Sequence, residues 1–348
     1  YNTYTDYGRR KDAQKRHGET LIRRVVLELR SLPLSDMFFR ERTMKNRQKS
    51  EDRGQRSEDR GQGSEDRGQG SKRSNSKLKT QNSKLKIVIK GAGEMATGIA
   101  HRLYMANLKN IAMTEIERPL TVRRTVAFSE SVYTGKWEVE GVGAVLVKDV
   151  SEVPDVWKDG KIAVIIDPEW DVVESLKPDI VIDAIMAKKN IGTKKGEAPV
   201  VIGVGPGFAA PQGVHAVVES NRGHHLGRVI YNGSAEPHTG IPGAVMGITT
   251  ERVLRSPHNG LVKHAKGFGD KVVKGDIVLY VDKTPVPAPI DGILRGLIRE
   301  IHVKANEKIG DIDPRGIKEY CYTITEKARA IGGGVLEAVM HLSVERIA

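Results

Sequence analysis

The stretch Leu85 to Gly98 reads LKIVIKGAGEMATG, and its reading sets the fold class of the downstream chain. Leu85, Ile87 and Ile89 alternate with lysines around Val88, and the apolar run stops at Gly91, as a buried strand does where it enters a turn. Gly91, Gly93 and Ala96 then stand as G-x-G-x-x-A. In the dinucleotide-binding version of this turn the first glycine permits the tight bend and the second lets a pyrophosphate approach the backbone. The third small residue lets helix and strand pack closely. Met95, Ile99 and Leu103 recur on one face of the next helix, and its N-terminus points free N–H groups at an anion. The expected cofactor contacts here are Gly91, Gly93, Glu94, Ala96, Thr97 and Gly98.

Downstream the chain alternates strands and helices. NIAMTE ends at Glu115, 24 positions after Gly91, close to the place about 20 residues on where such folds put a carboxylate on a ribose hydroxyl. Glu117 is the neighbouring alternative. Arg118, Arg123 and Arg124 come next, either to neutralise a phosphate or as the solvated face of a short helix after Pro119. Further strands are expected at Trp137–Glu140, Ala144–Val147, Ile162–Ile166 and Ile180–Asp183, with a helix at Glu169–Leu176. Asp167 and Asp183 close two of these strands. They stand at the rim of a ligand crevice if the sheet is parallel, or cap the next turn.

VVIGVGPGF opens a strand into Gly203, Gly205 and Gly207, an anion-binding nest or simply a tight turn. Loops beyond it carry His224, His225, His238, Ser234, Glu236 and Thr239. A polar ligand pocket is the expected use. A metal site would need His215, one of His224 and His225, His238 and Glu236 to converge, and none is assigned.

Composition narrows the function classes. Of the net charge of +12, residues 1–84 supply 22 Lys and Arg against 12 Asp and Glu, which leaves 34 against 32 for the rest. The basicity therefore belongs to the tail, and neither nucleic acid nor membrane is expected as a partner. Cys321 is the single cysteine, which excludes an intrachain disulfide and fits a cytoplasmic protein. KEYCYTITEK places it in strand-like alternation, as a core residue rather than a chalcogen carrier. No apolar run approaches a membrane span.

Residues 50–70 are three tandem heptads, SEDRGQR, SEDRGQG and SEDRGQG. They offer no apolar seam for a coiled coil. Residues 1–84 are therefore expected to be a disordered repetitive tail, read as upstream sequence that is not genuine coding sequence or as a true tail. The folded part divides into an α/β Rossmann-like nucleotide- or cofactor-binding domain at 85–250 and a small β domain with a C-terminal helix at 251–348. In the second, SPHNGLV at Ser256 is echoed by APIDGIL at Ala288, and GDKVVKGDIV at Gly269 by NEKIGDID at Asn306. Neither half can bury its own apolar face, so the two are expected to close on each other. After Gly332–Gly334, VLEAVMHL reads as a helix.

This repeat resembles the barrel-sandwich hybrid of biotinyl and lipoyl domains. The hairpin that would hold a carrier lysine reads YVDKTPVP, and Lys283 lacks the flanking methionines, so no prosthetic attachment is expected. Taken together, GAGEMATG, MTEIERPLTVRRTVAFSE, VGPGF, NRGHHLGR, SAEPHTGIPG, GDIDPRG and KARAIGGGVLEA resemble the accessory proteins of selenium-dependent molybdenum hydroxylase systems, the YqeB type, over residues 85–347. The resemblance implies a cytoplasmic factor that matures a molybdenum hydroxylase apoprotein. It also implies a first domain similar to the Rossmann domain of xanthine dehydrogenase accessory proteins. The ligand would be a phosphorylated small molecule, either NAD(P) or another nucleotide or molybdopterin. The alternatives are an NAD(P)-dependent oxidoreductase using His224, His225 or His238, and a non-enzymatic docking module for the hydroxylase.

Overall fold

All four side chains of strand β1 (Ile87–Lys90) are buried, as happens in a strand covered on both faces. Gly91, at φ +91°, turns the chain into helix α1 (Glu94–Met105). The computed structural model describes residues 84–347. The heptads, and the disorder expected of them, lie outside the described residues.

The chain continues through β2 (Ile111–Glu115), α2 (Ser131–Thr134), β3 (Lys136–Val139), β4 (Val142–Val147), α3 (Val153–Lys158) and β5 (Ile162–Ile166). Next come α4 (Asp171–Leu176), β6 (Ile180–Asp183), β7 (Val200–Val204), β8 (Ala209–Ala210), β9 (Ala216–Val218), β10 (Val229–Ile230) and β11 (Gly233–Ser234). Nine of these strands form one sheet in the order β10-β9-β7-β6-β1-β2-β5-β4-β3, while β8 pairs with β11. Every pairing from β9 to β4 is parallel, and only the edge strands β10 and β3 run antiparallel. The chain leaves β1 toward β2 on one side and returns to β6 on the other, so the strand order reverses at β1. That reversal opens a crevice at the carboxyl ends of the strands.

Alternate residues of the central strands feed two cores. Ile87, Ile89, Ile111, Met113, Ile180 and Ile182 face α1 on one side, while Val88, Ala112, Ala163 and Val181 face Val153, Val172 and Leu176 on the other. This is the period-two partition of a covered sheet.

The segment after Pro119 is not the single helix the arginines suggested. It makes two short 3-10 turns, Arg124–Val126 and Phe128–Glu130. Its backbone is engaged elsewhere: the Leu297 N–H donates to Val122 O at 2.9 Å and the Ser129 N–H to Ala92 O at 2.8 Å.

The C-terminal helix α5 (Glu326–Ile347) corrects the sequence reading twice. It begins before the glycines rather than after them, and its apolar face, Ala328, Ile331, Val335, Ala338 and Val339, belongs to the core of the large sheet with α1. Glycines inside a helix are unfavourable by roughly 1 kcal/mol each, and here two of them allow close approach. A Cβ on Gly332 would meet Gly98 O at 2.9 Å. One on Gly334 would overlap Gly227 O. Gly98 is the counterpart of Gly332 on α1, where a Cβ would stand 2.6 Å from that of Ala328. Gly98→Val is therefore expected to lower stability by about 1–3 kcal/mol through overpacking, read by denaturant unfolding.

The remaining strands are β12 (Val253–Arg255), β13 (Gly260–His264), β14 (Lys271–Val272), β15 (Ile277–Val281), β16 (Thr284–Pro287), β17 (Gly292–Leu297), β18 (His302–Val303) and β19 (Lys308–Asp313). They make two four-stranded antiparallel sheets, β12-β19-β17-β14 and β16-β15-β13-β18. The repeat halves interlock. β14, from the first half, pairs with β17 of the second, and β18, from the second, pairs with β13 of the first. One core of Val262, Val278, Leu279, Leu294, Ile309 and Ile312 results, joined by Val122 from the loop before Arg123. Lys283 is exposed at the β15–β16 turn, and the carboxylate of Asp282 beside it accepts from the Leu261 N–H at 2.9 Å.

Candidate functional site

A cavity of about 490 Å³ lies at the carboxyl ends of β1, β2 and β5. The turn supplies Gly91, Gly93, Glu94 and Met95, and the strand ends supply Glu115, Asp167 and Ala184. Ile116, Leu120, Ile185, Ile191 and Trp170 make an apolar rim.

The two glycines of the turn differ in what they need. Gly91 has left-handed backbone, and a Cβ there would press on Ile185 Cα at 3.2 Å; the fold itself requires glycine. Gly93, the N-cap of α1, has φ −68° and ψ −176°, a conformation open to any residue. A Cβ there would meet nothing nearer than Thr121 Oγ1 at 3.8 Å, an ordinary contact. No side chain caps the α1 N-terminus. The bare backbone at Gly93 is thus not demanded by the chain, and it leaves the helix N–H groups and their partial positive charge facing the cavity.

Glu115 is where the sequence placed it, and its carboxylate holds the turn: Oε1 accepts from the Ala92 N–H at 3.2 Å and Oε2 from the Ile116 N–H at 2.8 Å. Burial pushes its pKa up against those two bonds. Three other nominated residues serve the scaffold. Thr97 donates to Ala92 O at 3.1 Å and accepts from the Phe128 N–H at 2.8 Å. Ala96 is buried and Gly98 lies against α5.

The nest expected at 203–207 is not formed, because its glycines are consumed by packing. Gly203 pairs within the sheet with Asp183 and Val217, and Phe208 covers the space of its missing Cβ. Gly205 donates its N–H to Val218 O at 2.9 Å. A Cβ on Gly207 would run into Lys189 Cα at 2.5 Å. Val204 and Pro206 reach a second cleft instead. Asp167 and Asp183 both cap the turns that follow them, and Asp167 stands at the cavity rim as well. Asp167 accepts from the Asp171 and Val172 N–H groups at 3.1 and 2.9 Å, and Asp183 from the Ile185 N–H at 3.2 Å and Thr193 Oγ1 at 2.7 Å. The histidines do not converge. His215 Nδ1 accepts from the Val201 N–H at 2.9 Å, His224 and His225 stack edge to face, and His238 lies in the second cleft.

The three arginines after Glu115 part company. Arg118 is exposed. Arg124 pairs with buried Glu130 at 3.2 Å, and Arg299 holds the same carboxylate. Arg123 is only 4% exposed and lines both the turn cavity and the second cleft. Its Nη2 donates to Thr323 O at 3.0 Å, whereas Nε and Nη1 are buried without a hydrogen-bond partner. The Glu94 carboxylate is 3.9 Å away. An incompletely satisfied guanidinium at this depth is expensive and is placed beside an uncapped helix terminus.

Sequence reasoning missed a buried lysine. Lys90 closes β1 and is wholly buried, with Nζ 2.7 Å from Glu197 Oε2, 2.9 Å from Thr193 Oγ1 and 3.8 Å from the centre of the Trp170 ring. Burial lowers its pKa, opposed by Glu197, Asp183 and Asp167. Its group ties the 190–197 loop and Trp170 to the turn. Nothing in LKIVIK separated this lysine from Lys86, which is half-buried and donates its Nζ to Leu176 O at 2.6 Å.

Cys321 is fully buried and its thiol points to Leu294 O at 3.7 Å; burial pushes its pKa up, opposed by Arg123 and Arg295. The native protein is expected to titrate close to zero thiols with a water-soluble disulfide reagent and one after denaturation.

No family model matches the chain. The chain is 47% identical over 257 residues to Uncharacterized protein YqeB of Escherichia coli (strain K12). The match takes in 74% of this chain and 47% of YqeB, so the chain spans about half the length of the curated relative it matches. The YqeB label reached from the sequence strings and this similarity agree. Among solved structures, TcdA (CsdL) is 13% identical with a TM-score of 0.29, covering 78% of this chain and 91% of its own. An aspartoacylase family protein from Mesorhizobium loti is 10% identical with a TM-score of 0.20, covering 61% of this chain and 58% of its own. Likeness this slight carries no argument about the site. Among the described residues no helix is long and apolar enough to cross a membrane.

Proposed function

We propose that the protein binds a phosphate-bearing cofactor, a nucleotide or the molybdenum cofactor, at Gly91–Glu94 of a Rossmann-like domain. In this reading it serves as a maturation factor for a selenium-dependent molybdenum hydroxylase. The observation that carries the binding half is Gly93: neither its backbone angles nor its surroundings require glycine, and it leaves an uncapped helix terminus open to a cavity. The α1 N–H groups and Arg123 would hold the phosphate, Glu115 would meet a sugar hydroxyl, and the apolar rim would take a planar ring. The maturation half, including the hydroxylase as partner and a cytoplasmic location, rests on the sequence resemblance. In the same reading the interlocked β sheets act as a barrel-sandwich-like module for docking the apoprotein.

Calorimetric titration of the full chain with NAD, NADP, ATP and molybdopterin tests the binding half. One of the four is expected to bind, and binding by none refutes it. An oxidoreductase, by contrast, would draw its acid or base from His238 in the adjoining cleft and would turn over NAD(P)H when the pyridine nucleotide binds.

A further inference from the structure

The second cleft, about 710 Å³, shares Glu94, Met95, Arg123, Met186 and Lys308 with the turn cavity, so the two adjoin at Arg123. Its chemistry is different. Aromatic residues other than His238 are missing from its wall, and Arg123, Lys188, Arg222, Arg255 and Lys327 add positive charge to it.

Much of the other charge there is already balanced. Arg252, Arg295 and Lys308 surround Asp311 at 2.6, 2.9 and 3.0 Å. Arg222 pairs with Glu326. The carboxylates nearby are also committed. Glu94 accepts from Thr325 Oγ1 at 3.1 Å, and Glu219 accepts from the Asn221 and Glu236 N–H groups at 2.6 and 2.7 Å. Lys327 is half-buried and makes no hydrogen bond or ion pair among the described residues; burial first and Arg222 second lower its pKa, opposed by the carboxylates of Glu94, Glu219 and Glu326. With Arg123 Nε, which has no hydrogen-bond partner, and Nη1, whose nearest carboxylate is Glu94 at 3.9 Å, the cleft holds more positive charge than its own carboxylates balance.

Helix geometry adds to this. Glu94 meets Thr325, Gly98 meets Ala328, and Gly98 O meets Gly332. The contacts advance in step, so α1 and α5 run parallel and bring two N-terminal dipole ends together beside Arg123 and Lys327. Side-by-side positive helix ends and a lysine without a hydrogen-bonded partner become favourable around an anion.

We infer that the ligand carries a second anionic group, received in this cleft by Lys327 with Arg123, so that its class is a nucleoside polyphosphate or a dinucleotide rather than a monophosphate. This rests on the proposed phosphate site at Gly91–Glu94. The second group extends from the first past Arg123, where both cavities meet.

The test is calorimetry on the full chain with AMP, ATP and inorganic tripolyphosphate, repeated on Lys327→Gln, whose melting temperature is read alongside. ATP is expected to bind at least tenfold tighter than AMP, and Lys327→Gln to weaken ATP about tenfold while leaving AMP unchanged. Equal affinity for AMP and ATP, or equal weakening of both by Lys327→Gln, overturns the second subsite and leaves the first standing. Tripolyphosphate binding that depends on Lys327, without nucleotide binding, supports the second subsite and removes the nucleotide reading of the first. Binding by none of the three overturns the second subsite, and the first falls with it if NAD, NADP and molybdopterin also fail to bind.

Discussion

Replacing Asp311 with asparagine is expected to destabilise the folded protein by about 3–5 kcal/mol, the usual consequence of removing one member of a buried ionic cluster. Asp311 is 1% exposed and its two oxygens take Arg252 Nη1 at 2.6 Å, Arg295 Nη2 at 2.9 Å and Lys308 Nζ at 3.0 Å. The amide would leave Arg252 and Lys308 without a counter-charge beside Arg295, which keeps its pair with Asp313 at 3.0 Å. The same cluster predicts an acid response. Burial alone would raise the Asp311 pKa, but Lys308, Arg295 and Arg252 outweigh it and hold it at about 2, against 3.8 unperturbed. A carboxyl held below its unfolded value stabilises the fold fully above pH 4, and that contribution, roughly 2 kcal/mol, is lost as pH falls from there through 2. Urea unfolding at pH 7 and at pH 3 reads both effects. A loss below 1 kcal/mol in Asp311→Asn would show that the cluster does not hold β12, β17 and β19 together.

Arg123→Met is expected to behave in the opposite sense. Removing the guanidinium forfeits one hydrogen bond to Thr323 O, about 1.5–3 kcal/mol for a charged donor, and the 3.9 Å pairing with Glu94, and relieves two buried donors without hydrogen-bond partners, about 1–3 kcal/mol each. Stability should therefore be unchanged or raised. Ligand binding should fall by about 10- to 100-fold, the worth of a charge-assisted contact to phosphate. A residue whose loss helps the fold and harms binding is maintained for the ligand. A falling melting temperature with unaltered affinity would make Arg123 a structural residue and move the anion elsewhere.

The large sheet was legible because its signals are local. LKIVIK, NIAMTE, IAVII and IVID are short apolar runs whose period and flanking turns need no distant partner, and β5 and β6 fall on the residues expected. Gly91 and Glu115 were legible for the same reason. What was not legible depends on residues far apart in the chain. The glycines at 203–207 looked like a phosphate nest, yet Phe208, Ser220 and Lys189 fill the spaces their missing side chains leave. Gly332–Gly334 looked like the start of a helix and lie inside one, since the partners that require them, Gly98 and Gly227, are more than a hundred residues away. Arg123 and Arg124 are adjacent, but one is pulled to Thr323 and the other to Glu130 and Leu297, a division visible only after the β sheets pack. Lys90 was missed because a lysine ending a strand is ordinarily solvated, and only Glu197, Thr193 and Trp170 together make its burial tolerable.

The central claim is that Gly93 is kept bare for an anion. Gly93→Asp places a capping carboxylate where the backbone already suits one, so the α1 helix should be as stable as before or more so by a few tenths of a kcal/mol. The same carboxylate would occupy the N–H groups and repel phosphate. Titrating wild-type and Gly93→Asp full chains with whichever of NAD, NADP, ATP or molybdopterin binds, alongside their melting temperatures, decides the matter. At least a 100-fold loss of affinity at an unchanged or higher melting temperature is expected, and equal affinity in the two proteins would contradict the account.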